Sequence, residues 1–73
     1  MGYKLLTIAS DDGIASLSFN RPESGNALSV ELMQEIIAAC NSYKYDTDTR
    51  VIVFRGEGAH FSVGADLKDP VRQ

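Results

Sequence analysis

The sequence predicts an α/β fold in the order strand, strand, helix, strand and the start of a further helix. Residues 3–8 and Ile14–Phe19 alternate imperfectly between apolar and polar side chains, as half-buried strands do. Residues 30–43 carry apolar side chains three and four positions apart, which is the period of an amphipathic helix. Residues 51–54, VIVF, form a continuous apolar run, which predicts a strand buried on both faces in a parallel sheet.

The first two strands are predicted to pair as an antiparallel hairpin. The segment between them, ASDDG, ends in an Asp-Gly pair that tolerates the positive φ angles of a tight turn. After the second strand, residues 20–26, NRPESGN, are rich in turn-forming residues and are predicted to be a loop.

The helix is predicted to begin at Val30, because Ser29 offers a side-chain oxygen as N-cap and Glu31 places a negative charge in the first turn. One apolar stripe is expected to face the sheet, formed by Leu32, Met33, Ile36, Ile37, Cys40 and Tyr43. The single cysteine, Cys40, is interpreted as a small buried hydrophobe of that stripe and not as a reactive thiol.

Composition limits the classes of protein and of partner. The chain, residues 1–73, is long enough for one small domain at most, and a formal net charge of −3 gives no general attraction for nucleic acid or an anionic membrane. The first ten residues are too polar for a signal peptide or a membrane span. One cysteine excludes an internal disulfide and favours a reducing compartment, the cytoplasm or a mitochondrial matrix.

The glycine-rich segment after the last strand, GEGAHFSVGADLKD, is the candidate functional loop. It leaves the carboxyl end of a predicted parallel strand, where open α/β sheets bind ligands. Neither the spacing of a phosphate-binding loop nor that of a dinucleotide fingerprint is present. A hydrolase elbow has glycine two residues before and two residues after the serine, whereas Ser62 is flanked by His60 and Gly64. His60 has no second metal ligand at a fitting spacing, so no metal site is predicted.

A backbone hydrogen-bond donor is the remaining chemical function of this loop. A helix is expected to start near Ala65, which would present unpaired N–H groups to a ligand. Such groups, fixed in advance, stabilise a carbonyl oxygen that becomes negative during a reaction. The N–H of Ala65 is therefore the candidate catalytic group.

Two longer segments, FNRPESGNALSVELMQEI and DTRVIVFRGEGAHFSVGADLKD, resemble the amino-terminal part of the enoyl-CoA hydratase/isomerase family, the crotonase superfamily. The resemblance covers nearly the whole chain. It implies a spiral of β-β-α units of which only the amino-terminal portion is present, acyl-CoA thioester substrates, no permanently bound cofactor, and a homotrimer or hexamer for a full-length member. It also implies that the Ala65 N–H is one of two donors to the thioester oxygen.

The resemblance further assigns the binding of coenzyme A to two walls. Ala27 would form one wall, and the other would be formed by Val63, Ala65, Asp66, Leu67 and Lys68. Members of the family often have a basic residue, which could contact a coenzyme A phosphate, at the position of Gly25. Because glycine has no side chain, that contact is not expected in this chain. Asp66 is expected to be structural, at a helix start, and not to transfer protons.

The resulting prediction is the thioester-binding part of an enzyme that hydrates 2-enoyl-CoA. The second oxyanion donor and the proton-transferring acids of the family lie in sequence beyond Gln73, so the 73-residue chain alone is expected to be inactive. The alternatives are another reaction of the family, such as isomerisation, thioester hydrolysis or dehalogenation, and a truncated, non-catalytic module that binds coenzyme A or oligomerises.

Overall fold

A computed structural model describes residues 2–69 of the chain. Strand β1, Leu6–Asp11, pairs antiparallel with strand β2, Ile14–Phe19, and β2 pairs parallel with strand β3, Val51–Gly56. A short 3₁₀ turn, Pro22–Ser24, and the helix α1, Val30–Ser42, connect β2 to β3. The sheet order is β1-β2-β3, and the predicted strand, strand, helix, strand order is confirmed.

The β1–β2 hairpin closes through the two residues Asp12 and Gly13. Their φ angles are +51° and +80°, the left-handed conformation that two-residue hairpin turns require and that Asp-Gly accommodates. The register places Asp11 opposite Ile14.

Strand β1 is shifted along the sequence from its predicted position, residues 3–8. The backbone N–H groups of Lys4 and Leu5 do not join the sheet; they donate to the carboxylate of Glu35 on α1, at 3.2 and 2.9 Å. The strand instead begins at Leu6 and continues beyond Ile8 to Asp11, where the hairpin turn begins. Tertiary contact with α1 therefore decides where this strand starts.

The core lies between one face of the sheet and α1. Its fully or nearly fully buried members are Leu6, Ala15, Leu17, Phe19, Leu32 and Ala39. On β2 these residues alternate with less buried ones, which confirms the period-two pattern of Ile14–Phe19.

Helix α1 begins as predicted, because the Ser29 side chain accepts a hydrogen bond from the N–H of Leu32. The predicted stripe is partly wrong: Ile37 is 60% exposed, whereas Ala39, which was not assigned to it, is completely buried. The face that meets the sheet is rotated away from Ile37, toward Leu32, Ile36 and Ala39. Cys40 is half-buried and packs against the core, in agreement with its interpretation as a hydrophobe.

The prediction that β3 is buried on both faces is wrong for the part of the chain that the structure describes. Strand β3 lies at the edge of the three-stranded sheet, and Val51 and Phe54 are 50% and 42% exposed. Its parallel pairing is confirmed. A continuous apolar run predicts a strand that is suited to burial. The sequence of that run does not say which element covers the strand, and none of the described residues covers the outer edge of β3.

The helix predicted to start near Ala65 is also absent as far as Asp69. Ala65 forms an isolated parallel bridge with Leu28, and a single turn follows, in which the N–H of Asp69 donates to the carbonyl of Asp66. The rest of that predicted helix lies outside the described residues. No helix within residues 2–69 has the length and apolar character needed to cross a membrane.

Candidate functional site

The candidate site is a cavity of about 920 Å³ at the carboxyl ends of β2 and β3, between the loop after β2 and the glycine-rich loop after β3. All six residues predicted to bind the substrate line it: Ala27, Val63, Ala65, Asp66, Leu67 and Lys68. The remaining lining residues are Leu5, Arg21, Glu23, Ser24, Ser29, Glu31 and Asp69. The predicted site residues are thus brought together, although they come from two distant segments.

The two loops are joined by a short piece of parallel pairing. The N–H of Leu28 donates to the carbonyl of Gly64 at 2.8 Å, and the N–H of Asp66 donates to the carbonyl of Leu28 at 3.3 Å. In a parallel bridge these two bonds straddle the middle residue, here Ala65, whose own N–H and C=O point to the other side. Among the described residues none accepts a hydrogen bond from the Ala65 N–H.

Gly64 makes this arrangement possible. Its φ of +98° is a conformation that residues with a Cβ rarely adopt, and it turns the chain immediately before Ala65. The unpaired N–H of Ala65 therefore results from a glycine-dependent turn and an extended bridge, and not from the helix start that the sequence predicted.

Asn26 fixes the position of the glycine-rich loop. Its side chain is completely buried, and Nδ2 donates to the carbonyls of Glu57 and His60 at 2.8 and 2.7 Å. Oδ1 accepts from the N–H of Arg21 at 2.8 Å, so all of the amide's polar atoms are used inside the protein. The φ of Asn26 is +56°, which asparagine tolerates better than most residues.

Ser62 and His60 do not form a catalytic pair. The Ser62 hydroxyl donates to the carbonyl of Asn26 at 2.8 Å and accepts from the N–H of Gly64 at 3.1 Å, which occupies it structurally. The imidazole of His60 is exposed, and this residue contributes its carbonyl to the contact with Asn26. No group of three potential metal-ligating side chains occurs within residues 2–69.

Asp66 was expected to lie at a helix start, but no helix begins there within the described residues, and its carboxylate instead contacts Arg21 and Lys68. One carboxylate oxygen accepts from Arg21 at 3.1 Å and the other accepts from the N–H of Lys68 at 3.0 Å. Both carboxylate oxygens of Asp66 therefore have hydrogen-bond donors within the protein.

Gly25 occupies the position at which a basic residue is common in the family. It lies close to Val63 of the glycine-rich loop. A Cβ at this position would lie 2.9 Å from a methyl group of Val63, and the φ of Gly25 is +62°. Any larger residue at position 25 would require Val63 to move, so the position of Val63 in this loop depends on the glycine.

Arg21, Asn26 and Asp69 were not assigned to the site from the sequence. The Asp69 carboxylate is buried and accepts from the N–H of Val30, the first residue of α1, at 2.8 Å. Arg21 and Asn26 lie in the segment NRPESGN, which the sequence pattern predicted only to be a turn-forming loop. Their contacts with the glycine-rich loop form only in the tertiary fold, so the local sequence spacing does not predict them.

Comparison with known proteins identifies the class. The family model for enoyl-CoA hydratase/isomerase matches residues 9–73. The chain is 38% identical over 66 residues to human "Enoyl-CoA delta isomerase 2", covering 90% of this chain and 16% of that protein. It is 38% identical over 64 residues to "4-chlorobenzoyl coenzyme A dehalogenase-2" of an Arthrobacter species, covering 88% and 23%.

The fold agrees. The crystal structure of an enoyl-CoA hydratase from Mycobacterium tuberculosis H37Rv superposes with a TM-score of 0.87 at 36% identity, covering 96% of this chain and 32% of that one. The chain belongs to the enoyl-CoA hydratase/isomerase family, and its β-β-α portion has the crotonase fold. It spans less than a third of the length of each of these three relatives.

Proposed function

We propose that the cavity binds the thioester end of an acyl-CoA and that the N–H of Ala65 donates a hydrogen bond to the thioester oxygen. The observation that carries the proposal is the N–H itself, which belongs to a residue lining the cavity and has no acceptor among residues 2–69. A donor held in this way needs no reorganisation when the oxygen becomes negative.

The proposed reaction is the hydration of a 2-enoyl-CoA. Water adds at the carbon β to the thioester, the π electrons move toward the carbonyl, and the oxygen carries enolate-like charge until the α carbon is protonated. The Ala65 N–H binds that oxygen more strongly as its charge grows, and this differential binding accelerates the reaction. The structural similarity to a hydratase supports this choice, and the sequence similarity to an isomerase and to a dehalogenase makes those reactions the alternatives.

The walls of the cavity take the remaining parts of the substrate. Ala27 lies on one wall, and Val63, Leu67 and Lys68 lie on the other, so that apolar surface is available to the pantetheine arm and the adenine. No metal or permanently bound cofactor takes part. The proposal assigns the second oxyanion donor and the proton-transferring acids to polypeptide outside these residues, in a homotrimeric or hexameric enzyme.

A single-atom replacement tests the proposed donor. The 73-residue chain is short enough for chemical synthesis, so Ala65 can be replaced by lactic acid, which exchanges the N–H for an ester oxygen and retains the methyl group. The same replacement at Ala59, an exposed alanine of the same loop, is the matched control. Butyryl-CoA labelled with ¹³C at the carbonyl is titrated into each chain.

We expect the wild-type and Ala59 ester chains to shift the carbonyl resonance of bound butyryl-CoA downfield. The Ala65 ester should abolish that shift and weaken binding by up to about tenfold, the effect of one lost hydrogen bond. Absence of binding to the wild-type chain, or an unchanged carbonyl shift in the Ala65 ester, would contradict the proposal. Hydration is then assayed with crotonyl-CoA, and the 73-residue chain is expected to give none.

A further inference from the structure

Arg21 connects the two walls of the cavity. Its Nη1 donates to the carbonyl of Ala27 at 2.7 Å and to the carboxylate of Asp66 at 3.1 Å. Ala27 belongs to the loop after β2, and Asp66 belongs to the glycine-rich loop after β3. A single guanidinium nitrogen therefore links the two loops at this point, in addition to the bridge between Leu28 and Ala65.

The contact is sheltered from water. The side chains of Arg21 and Asp66 are 17% and 14% exposed. Hydrogen bonds between charged groups are stronger than those between neutral groups. Because Asp66 is also held by the N–H of Lys68, its carboxylate is fixed from both sides.

The contact between Arg21 and Asp66 lies next to Ala65 and therefore affects the proposed donor. Asp66 follows Ala65 directly, and its N–H makes one of the two bonds of the bridge to Leu28. At 3.3 Å this bond is longer than the 2.8 Å bond from Leu28 to Gly64. The end of the bridge at Asp66 is therefore the one that depends more on additional contacts. The contact of Arg21 with Asp66 supports this weaker end of the bridge, and the bridge as a whole holds the Gly64–Ala65 peptide group that carries the donor N–H.

We propose that Arg21 is a positioning residue that sets the direction of the Ala65 N–H and the separation of the cavity walls. The inference rests on the proposed function of Ala65 and deepens it. Arg21 acts through Asp66 and the bridge, and it makes no contact with the reacting carbonyl. Loss of Arg21 should leave the fold in place and misdirect the donor.

The test compares Arg21→Gln and Asp66→Asn with Arg55→Gln. Arg55, on β3, is exposed and forms no ion pair among the described residues, so its replacement removes the same charge without breaking the link. Two measurements are made on each 73-residue chain by NMR. One is the hydrogen-exchange rate of the Leu28 amide relative to the Ile36 amide of α1, and the other is the ¹³C shift of bound, carbonyl-labelled butyryl-CoA.

We expect Arg21→Gln and Asp66→Asn to accelerate exchange at Leu28 by roughly tenfold or more, the effect of losing a hydrogen bond to a charged group, with Ile36 unchanged. Both variants should also reduce the carbonyl shift at saturating butyryl-CoA. Arg55→Gln should change neither quantity.

Three outcomes would overturn the inference: unchanged exchange at Leu28 in both variants, an unchanged carbonyl shift despite faster exchange, or unfolding of both variants, which would make the role one of global stability. If only Arg21→Gln unfolds, Asp66→Asn decides by the same criteria, because it retains the size of the side chain. If the wild-type chain does not bind butyryl-CoA, the proposed function fails. The exchange measurement still tests the link between the walls.

Discussion

Asn26 shows how one buried side chain can define a loop. It satisfies two carbonyl groups of the glycine-rich loop and one N–H of its own loop, and the described residues contain no buried side-chain polar atom without a partner. Buried polar groups stabilise only when they are fully paired, and a network that loses one member is costly. The glycine-rich loop is thus held by specific hydrogen bonds as well as by packing.

Asn26→Asp should therefore destabilise the chain strongly at neutral pH. The substitution retains the shape, the tolerance of positive φ and the acceptor for Arg21, but it places a carboxylate oxygen against the carbonyls of Glu57 and His60. We expect the free energy of unfolding to fall by on the order of 3 kcal/mol, the upper range for an unsatisfied buried group. Urea denaturation measures it. Asn20→Ala, at an exposed side chain, is the control, and equal effects of the two variants would contradict this role.

Asp46 provides a residue-scale prediction for pH. In the connection between α1 and β3, its carboxylate accepts hydrogen bonds from the N–H of Asp48 and from both the N–H and the hydroxyl of Thr49. These bonds, that of Asp48 foremost, lower the pKa of Asp46 below its ordinary value. A lowered folded-state pKa contributes stability above the unfolded-state pKa, and this contribution is lost as the pH falls through the folded-state pKa.

The stabilisation from Asp46 should thus be complete at neutral pH and should decline below about pH 4, the usual pKa of an aspartate. Asp46→Asn should flatten this part of the stability profile, measured by denaturation between pH 6 and pH 2. Asp48→Asn is the matched control, because the Asp48 carboxylate makes no hydrogen bond within residues 2–69. An identical slope in wild type and Asp46→Asn would show that the turn does not contribute.

At the scale of elements, helix α1 is stabilised at its amino terminus from two parts of the chain. Ser29 accepts from the N–H of Leu32, and Asp69 accepts from the N–H of Val30. The second contact ties the end of the glycine-rich loop to the helix, and its negative charge is favoured by the helix dipole. The helix start and the candidate site are therefore structurally coupled.

Ser29→Ala should reduce the free energy of unfolding by about 1 kcal/mol, the usual cost of losing an N-cap. Thermal and urea denaturation both report it. Ser42→Ala, at the other end of α1, is the control, since alanine is a better helix former and the lost bond to the carbonyl of Ala39 lies within the helix. A loss at Ser42 as large as that at Ser29 would argue against a specific capping effect.

The elements that the sequence predicted well are those with purely local causes. The Asp-Gly turn, the alternation in Ile14–Phe19 and the Ser29 cap each depend on residues close together in the chain, and all are confirmed. The start of β1 and the conformation at Ala65 were wrong, because Glu35 and Leu28 intervene from distant positions. Six of the residues that line the cavity were assigned to the site by family resemblance, and their spacing alone did not predict that they would lie together.

At the scale of the whole molecule, a single small core supports the fold. Leu17 is completely buried at the centre of β2, between β1 and β3, whereas Val51 at the edge of the sheet is half exposed. Native chains are stable by only about 5–15 kcal/mol, and a chain of this size belongs at the lower end. The contribution of each core side chain is correspondingly large.

Leu17→Ala should lower the free energy of unfolding by about 2–5 kcal/mol, enough to unfold a large share of the molecules. Val51→Ala removes a side chain that is already half in water, so a much smaller effect is expected. Circular dichroism during urea denaturation compares the two variants. Similar losses would indicate that β3 is covered by something other than the described residues, such as a second copy of the chain.

The parallel pairing of β2 with β3 has a kinetic consequence. The hairpin partners Asp11 and Ile14 are close neighbours in sequence, but the parallel partners Ile14 and Val51 are separated by the loop and all of α1. Closing a long segment costs chain entropy before any pairing rewards it, and non-local pairing slows folding. Stopped-flow φ-value analysis should give higher values at Ile8, in the hairpin, than at Ile52. Because both walls of the cavity depend on this late pairing, the binding site should be the last part of the molecule to form and the first to be lost when it unfolds.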